Sequence, residues 1–322
     1  MDSKEKRTIK VNFADFWEGL DYKTFKLYKI LNKHYNLIIS DKPDYLFCSS
    51  FYFDEYLSYN DCLKIFYSKK SEDTNYLSHD YGIDSNDDAP NGRQHIYCPD
   101  YFCSSEDFIF EKMKNKHLDI KGHEEELLNR DFCGYIYSND VSIAKLIQEK
   151  LDQYKKVNYL EEFDRINVLG KTQKDKYDFL KKYKFSIVCE NDKKNGYITE
   201  KVLDAFAAKT IPIYYGANNV NKYFNPEAMI IIKDEDDIDN AIERIKQIDE
   251  DDELYLHMLK QPAILPGKED FFEETLVKLE EFICRIIDAD YKKEYQIARI
   301  LRTLHNIHFN LQTRIPDLFN KE

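Results

Sequence analysis

No run in this sequence approaches the ~18 consecutive apolar residues that a membrane-spanning helix requires, and the polar start Met1 to Lys6 lacks the pattern of a signal peptide. A soluble or at most peripheral protein is expected. The seven cysteines (Cys48, Cys62, Cys98, Cys103, Cys133, Cys189, Cys284) are odd in number and form no C-x-x-C pair, so zinc spacing is absent. Several lie inside apolar runs, as buried thiols do, and a reducing compartment is the simpler inference. An excess of basic residues is also missing: 47 Lys and Arg face 60 Asp and Glu, for a net charge of −13. A protein whose main ligand is a nucleic acid needs a basic surface to displace counterions, so that class is disfavoured. A small anion stays open, because a local cluster of cations and backbone N–H groups can hold a phosphate within an acidic protein. Glycine (9) and proline (8) are sparse, and no linker rich in either divides the chain.

The sequence does contain enough apolar residues (43%) for real cores and enough length (322 residues) for two domains. Aromatics are abundant at 15%, with 25 Tyr and 21 Phe beside a single Trp. Their faces suit sugars and bases, though most must fill core and surface. Apolar runs at Ile9 to Phe13, Tyr45 to Cys48, Leu63 to Tyr67 and Phe132 to Tyr137 read as strands, and Phe25 to Asn32 and Val141 to Tyr154 as helices. Gly82 to Gly92, with Asp84, Asn86, Asp87, Asp88, Pro90 and Asn91, reads as a loop, and the charged stretch Lys112 to Arg130 has low strand propensity. The second half alternates more cleanly: strand Phe185 to Cys189, helix Thr199 to Ala208, strand Ile211 to Tyr215, strand Met229 to Ile232, helix Asp236 to Ile248. Such βαβ order predicts parallel sheets covered by helices. Two α/β units meeting near residue 160 would leave a cleft for a ligand.

The segment Glu190 to Lys201 joins a strand end to a helix start, which makes it an anion site in physical terms. The helix N-terminus offers free N–H groups, Thr199 fits the N-cap, and Gly196 allows close backbone approach. Lys201 is misplaced for the helix dipole, since cations are disfavoured in a first turn, and a bound phosphate would explain it. Glu200 has the carboxylate to accept two hydrogen bonds from a ribose diol. An ordinary strand–turn–helix with surface charges is the competing reading.

Residue order decides between them. Tyr183-Lys184-Phe185, Glu190-Asn191, Tyr197-Ile198-Thr199-Glu200-Lys201, Ala205 and Ile211-Pro212-Ile213 followed by Gly216 together resemble the signature of glycosyltransferase family 10, the α-1,3-fucosyltransferases. The similarity continues through Tyr137-Ser138-Asn139, Arg165 and Tyr223 to Pro226. The resemblance implies an α/β protein of the GT-B type, with two Rossmann-like domains facing a central cleft. It implies an N-terminal acceptor-side domain over 1–158, a nucleotide-sugar donor domain over 159–290 and an amphipathic helical tail over 291–322. It implies an inverting transfer of L-fucose from GDP-fucose to a glycan hydroxyl, with no cofactor or metal required. Arg165 and Lys201 would face the donor diphosphate, Glu200 would hold the ribose, and Glu190, Asn191 and Tyr197 would complete the donor pocket.

The general base departs from the pattern. The family places a glutamate after an N-terminal strand in a Gly-Glu setting, and gapless counting between Tyr67 and Asp80-Tyr81-Gly82-Ile83 puts Lys69-Lys70 there. A lysine replaces a carboxylate base only where burial depresses its pKa strongly. Glu72 or Asp73, two or three residues on, could swing into the role, and Glu72 is the expected base. The alternatives are another nucleotide-sugar donor, or donor binding with weakened catalysis because Lys70 occupies the base position. His79 and His95 read as structural histidines. On the acceptor side, Trp17 is expected to stack a sugar or to pack, and Asp15 and Glu18 to hydrogen-bond hydroxyls. Asp234-Glu235-Asp236 and Asp288-Ala289-Asp290 resemble metal-binding pairs but arise easily among 60 acidic residues, so no metal site is assigned. The tail repeats apolar residues at helical spacing over 291–311 beside Lys292, Lys293, Arg299 and Arg302, which suits either peripheral membrane contact or packing against the core or a second subunit. A cytoplasmic bacterial or viral enzyme is expected, not a Golgi-anchored one.

Overall fold

The computed structural model describes residues 6–18, 20–51, 55–137, 142–161, 172–289, 291–300 and 303–304. Its contacts divide the chain into two units, one of residues 1–98 and 273–322, the other of residues 99–272. The first unit begins with β1 (Thr8–Ala14), α1 (Lys26–His34), β2 (Asn36–Ile39), β3 (Tyr45–Cys48), β4 (Leu63–Tyr67), β5 (Tyr81–Asp84) and β6 (His95–Tyr97). These strands form a wholly parallel sheet in the order β2-β1-β3-β4-β5-β6. β3 and β4 are buried at every residue, which is why β3 reads as a continuous apolar run and β4 as one broken only by Lys64.

The second unit comprises α2 (Asp100–Ser104), α3 (Asp107–Asn115), α4 (Glu124–Leu128), β7 (Asp131–Tyr137), α5 (Ser142–Asp152), β8 (Val157–Glu161), α6 (Gln173–Leu180), β9 (Tyr183–Cys189), α7 (Glu200–Ala207), β10 (Ile211–Tyr215), β11 (Ile230–Ile231), α8 (Ile238–Glu250) and α9 (Asp252–Leu259). Its parallel sheet runs β11-β10-β9-β7-β8. One contiguous core joins β7, β9 and β10 to α5, α8 and α9 through Cys133, Phe185, Ile187, Ile213, Ile147, Ile245 and Leu259. The chain then enters α10 (Phe271–Asp288), which from Glu273 onward belongs to the first unit. There Glu280 accepts from Lys33 (2.7 Å) and pairs with His34 (2.6 Å), and Asp288 accepts from the Tyr35 hydroxyl (2.8 Å).

The division expected at residue 158 is therefore corrected. β7 lies between β9 and β8, with Cys133 opposite Phe185, so residues 99–158 belong with the second sheet. The division also changes at the other end. α10 returns to the first unit, and the helical residues after it follow, with the Tyr291 hydroxyl donating to Asp61 O and Glu294 accepting from Tyr81 and Arg93. Ala298 is buried there, while Ile300 (59%) and Leu304 (57%) remain exposed. No helix among the described residues is long and apolar enough to cross a membrane.

Lys116, at the end of α3, is completely buried. Its ammonium donates to Leu259 O at 2.8 Å and lies 5.5 Å from the Phe206 ring centre, and burial pulls its pKa down to about 7. In the unfolded chain a lysine titrates near 10.4, so between those values the unfolded state binds more protons and stability rises with pH. Lys116→Met is expected to raise unfolding stability by about 1–3 kcal/mol at pH 7, with one lost hydrogen bond subtracted from the relief of desolvation. Denaturant melts should show that gain shrinking towards pH 10.

Candidate functional site

β9 ends at Cys189, and the chain crosses to α7 through residues 190–199. Glu190, at the crossing, is 1% exposed. Its Oε1 accepts from Thr199 N (2.8 Å) and its Oε2 from Thr199 Oγ (2.8 Å), so one carboxylate closes the turn at both ends. Burial raises the pKa of Glu190, opposed by the charge of Lys201 and by the two Thr199 bonds. Thr199 in turn caps α7, accepting from Lys201 N. The N–H groups of a helix's first turn have no intrahelical partner, and its dipole favours an anion there.

Lys201 leaves the first turn of α7 and bends back over the strand end. Its Nζ donates to Cys189 O at 2.8 Å and stands 4.0 Å from Glu190 Oε2, with 21% of the side chain exposed. An ammonium has three donors, and the Cys189 carbonyl takes one. Glu200 is held from behind by Lys176 Nζ at 3.3 Å, and the Lys176 side chain is only 9% exposed. Lys176, Ser186, Cys189, Lys201 and Asp204 line a cavity of about 20 Å³ under the start of α7, far too small for a nucleotide.

The rest of the crossing is stitched to residues 216–219. Gly196 has a φ of +83° and its N–H donates to Asn219 Oδ1 (2.8 Å), while Asn218 Nδ2 donates to Lys193 O (2.9 Å). Only glycine holds that φ without strain. Tyr197, 5% exposed, sits among carboxylates: burial first, then the charges of Glu190, Asp100, Glu200 and Asp192, push its phenol well above the ordinary range. It remains an O–H donor at any working pH. Asn191 is exposed directly after Glu190.

The structure thus brings together Glu190, Tyr197, Glu200 and Lys201, with Asn191 on the same turn. Glu190 requires a correction: both its oxygens are taken by Thr199 inside the fold, so it shapes the turn and does not face a ligand. Arg165, with Ser138 and Asn139, lies outside the described residues. Lys176 and Asn219 were missed by sequence reasoning. The available signal for Lys176 was its place three residues after Gln173 and four before Leu180, both of which are also buried.

In the first unit, β4 runs into residues 68–74, the loop that carries Lys70 and Glu72. Lys70 Nζ donates to Ser50 O (2.8 Å), covers the Phe51 ring at 4.9 Å and lies 4.0 Å from Glu72, whose side chain is 46% exposed. Trp17 packs edge-on to Phe16, Phe25 and Phe51, with Lys69 Nζ 4.9 Å above its ring. Asp15 is also corrected. It is 2% exposed with a φ of +59°, and its carboxylate accepts from Glu55 N (3.1 Å) and Tyr56 N (2.9 Å), so it caps a short helical turn and has no face for a sugar. Among the described residues no three His, Cys, Asp or Glu are grouped to hold a metal. Asp234 instead accepts from Asp237 N, and Asp290 lies outside the described residues.

Two parallel-sheet units, the second carrying the strand–turn–helix of β9 and α7, define a GT-B-type glycosyltransferase fold. The profile of the C-terminal region of glycosyltransferase family 10 (fucosyltransferase) matches residues 139–306, more than half of the chain, and that of the α-(1,3)-fucosyltransferase FucT N-terminal domain matches residues 11–103. The chain belongs to glycosyltransferase family 10, the fucosyltransferases. It is 28% identical to the α-(1,3)-fucosyltransferase FucT of Helicobacter pylori over 90% of its own length and 68% of that protein's. A crystal structure of an α1,3-fucosyltransferase superimposes with a TM-score of 0.70 and 25% identity, covering 88% of this chain and 92% of that one. A second α1,3-fucosyltransferase crystal structure, with GDP-fucose, matches at a TM-score of 0.67 and 24% identity over 88% and 92% of the two chains.

Proposed function

We propose that the chain moves L-fucose from GDP-fucose to a glycan hydroxyl with inversion, the second unit binding the donor and the first the acceptor. The observation that carries this reading is Lys201, an ammonium held at the N-terminus of α7 by Cys189 O and Glu190 where helix electrostatics alone disfavour a cation. A diphosphate seated there meets the ammonium and the N–H groups of the first turn. As the glycosidic bond breaks, negative charge grows on the leaving diphosphate, and these fixed donors stabilise it without a metal. Glu200, held by Lys176, accepts from the ribose diol, and the neutral Tyr197 phenol offers a donor beside it. Arg165 enters as a second diphosphate cation on the family resemblance alone. The H. pylori relationship and the GDP-fucose complex of a similar fold support the donor assignment.

Inversion needs a base for the acceptor proton, and Glu72 is assigned to it as the exposed carboxylate nearest the family's base position. Acceptor-dependent GDP release from GDP-fucose tests the reading. Glu72→Gln is expected to lower turnover on the order of 10²-fold or more, as removal of a general base does, with GDP affinity unchanged. Full activity in that variant removes Glu72 from the role. One observation favours a second reading. Lys70, tied to Ser50 O and Phe51, fixes a cation in the base position, so the protein binds donor but transfers weakly. A large gain in turnover on Lys70→Glu decides for it.

A further inference from the structure

The loop from Ser68 to Thr74 is fastened to β5 at both ends. At its start Ser68 N donates to Ile83 O (3.2 Å), and Ser68 Oγ accepts from Lys70 N (3.0 Å) and donates to Lys70 O (2.9 Å). At its end Thr74 N (3.0 Å) and Thr74 Oγ (2.5 Å) both donate to Asp84 Oδ2. The other oxygen, Oδ1, accepts from Asn86 N (3.0 Å) and from His95 Nε2 (2.9 Å) on the next strand. Asn86 Nδ2 also donates to Asp73 (2.6 Å). Thr74, Asp84 and His95 are 8%, 1% and 7% exposed. A Cβ on Gly82 would stand 2.0 Å from Thr74 Oγ, so the strand is bare just where the threonine docks.

A buried Asp–His pair invites a catalytic reading, but here it fails on geometry. Four donors fill the lone pairs of Asp84, and all three side chains are buried. Burial alone would raise the Asp84 carboxyl; the bonds from His95 and Thr74 outweigh it and hold it below its usual value. The network holds the loop itself, whose exposed residues are Glu72 and Asp73.

We infer that Gly82, Thr74, Asp84 and His95 form a latch that fixes the 68–74 loop, with Asp84 a positioning residue for the step at Glu72. The kinetic half of this rests on the proposed function; the structural half does not. A displacement of about 1 Å at a reacting group is enough to slow a reaction on the order of 10²-fold, so a loosened loop should lower turnover without touching the donor site in the other unit.

The test compares Asp84→Asn, Thr74→Val and Thr74→Ser by amide hydrogen exchange at residues 71–73, by kcat with GDP-fucose, and by GDP affinity. Thr74→Val keeps the shape and loses the hydroxyl, which keeps the test open if Asp84→Asn does not fold. The expected result is exchange at 71–73 faster by on the order of 10-fold, kcat lower by about 10–100-fold and GDP affinity unchanged in Thr74→Val, with Thr74→Ser like wild type on every reading. Unchanged exchange in Thr74→Val overturns the latch. Faster exchange with unchanged kcat overturns the positioning role and leaves a merely structural one. A wild-type protein that transfers to no acceptor overturns the proposed function, and the exchange data still judge the latch.

Discussion

Lys201→Met is expected to lower fucosyl transfer by on the order of 10²-fold or more, the loss that follows removal of one preorganised donor to a developing anion. Methionine keeps much of the stem that crosses the end of β9, so the change removes charge with little packing. The ammonium is held by Cys189 O at 2.8 Å and by Glu190 at 4.0 Å, which fixes it before any ligand arrives. Preorganisation matters because a cation already in place needs no rearrangement as the diphosphate leaves. Single-turnover rates and GDP affinity, measured together, separate this from simple loss of binding. Charge stabilisation in the transition state predicts a larger fall in the rate than in affinity. The buried Glu190 also loses its opposing cation, so a modest drop in melting temperature should accompany the kinetic effect.

Gly216→Ala is expected to disable the same turn from the other side. A Cβ at 216 would lie 2.5 Å from Glu190 Cγ, 2.6 Å from the Tyr214 hydroxyl and 2.9 Å from Glu190 Cβ. Glu190 cannot retreat, since both its oxygens hold Thr199 and the side chain is completely buried. Tyr214 is pinned by the Ala217 N–H at 3.0 Å. Overpacking of this kind destabilises by about 1–3 kcal/mol, and the rigid surroundings place the site at the upper end. Because relaxation must move Glu190, the N-cap of α7 moves with it, and GDP binding should weaken even where the protein stays folded. A denaturant melt and a GDP titration on the same sample check both halves.

The turn was legible because its parts are local. The apolar run at β9, the Thr199 cap and the glycine at 196 sit within one strand–turn–helix, and each follows a short-range rule. The placement of residues 99–158 was not legible. It depends on Cys133 pairing with Phe185, a contact across some fifty residues that no local pattern announces. The short β6 and the polar helices α3 and α4 escaped for a related reason. Three residues make too short a pattern, and the charged surface of a helix resembles a loop. Asp15 and Asp84 show the remaining gap. Both look like loop acids in sequence, yet Asp15 is a buried cap with partners 40 and 41 residues away, and Asp84 ends a buried strand with partners 10 and 11 residues away beside its neighbour Asn86. Lys176 was hidden likewise, since its value lies in touching Glu200 on another helix.

Calorimetric titration of the chain with GDP, UDP and dTDP tests the central claim, that residues 183–216 form a GDP-sugar site. Saturable binding of GDP, much weaker binding of the other two, and loss of the GDP signal in Lys201→Met are expected. At a hundredfold excess over Kd, GDP should stabilise the fold by about 2.7 kcal/mol. Binding of no nucleotide, or GDP binding that survives unchanged in Lys201→Met, would contradict the claim.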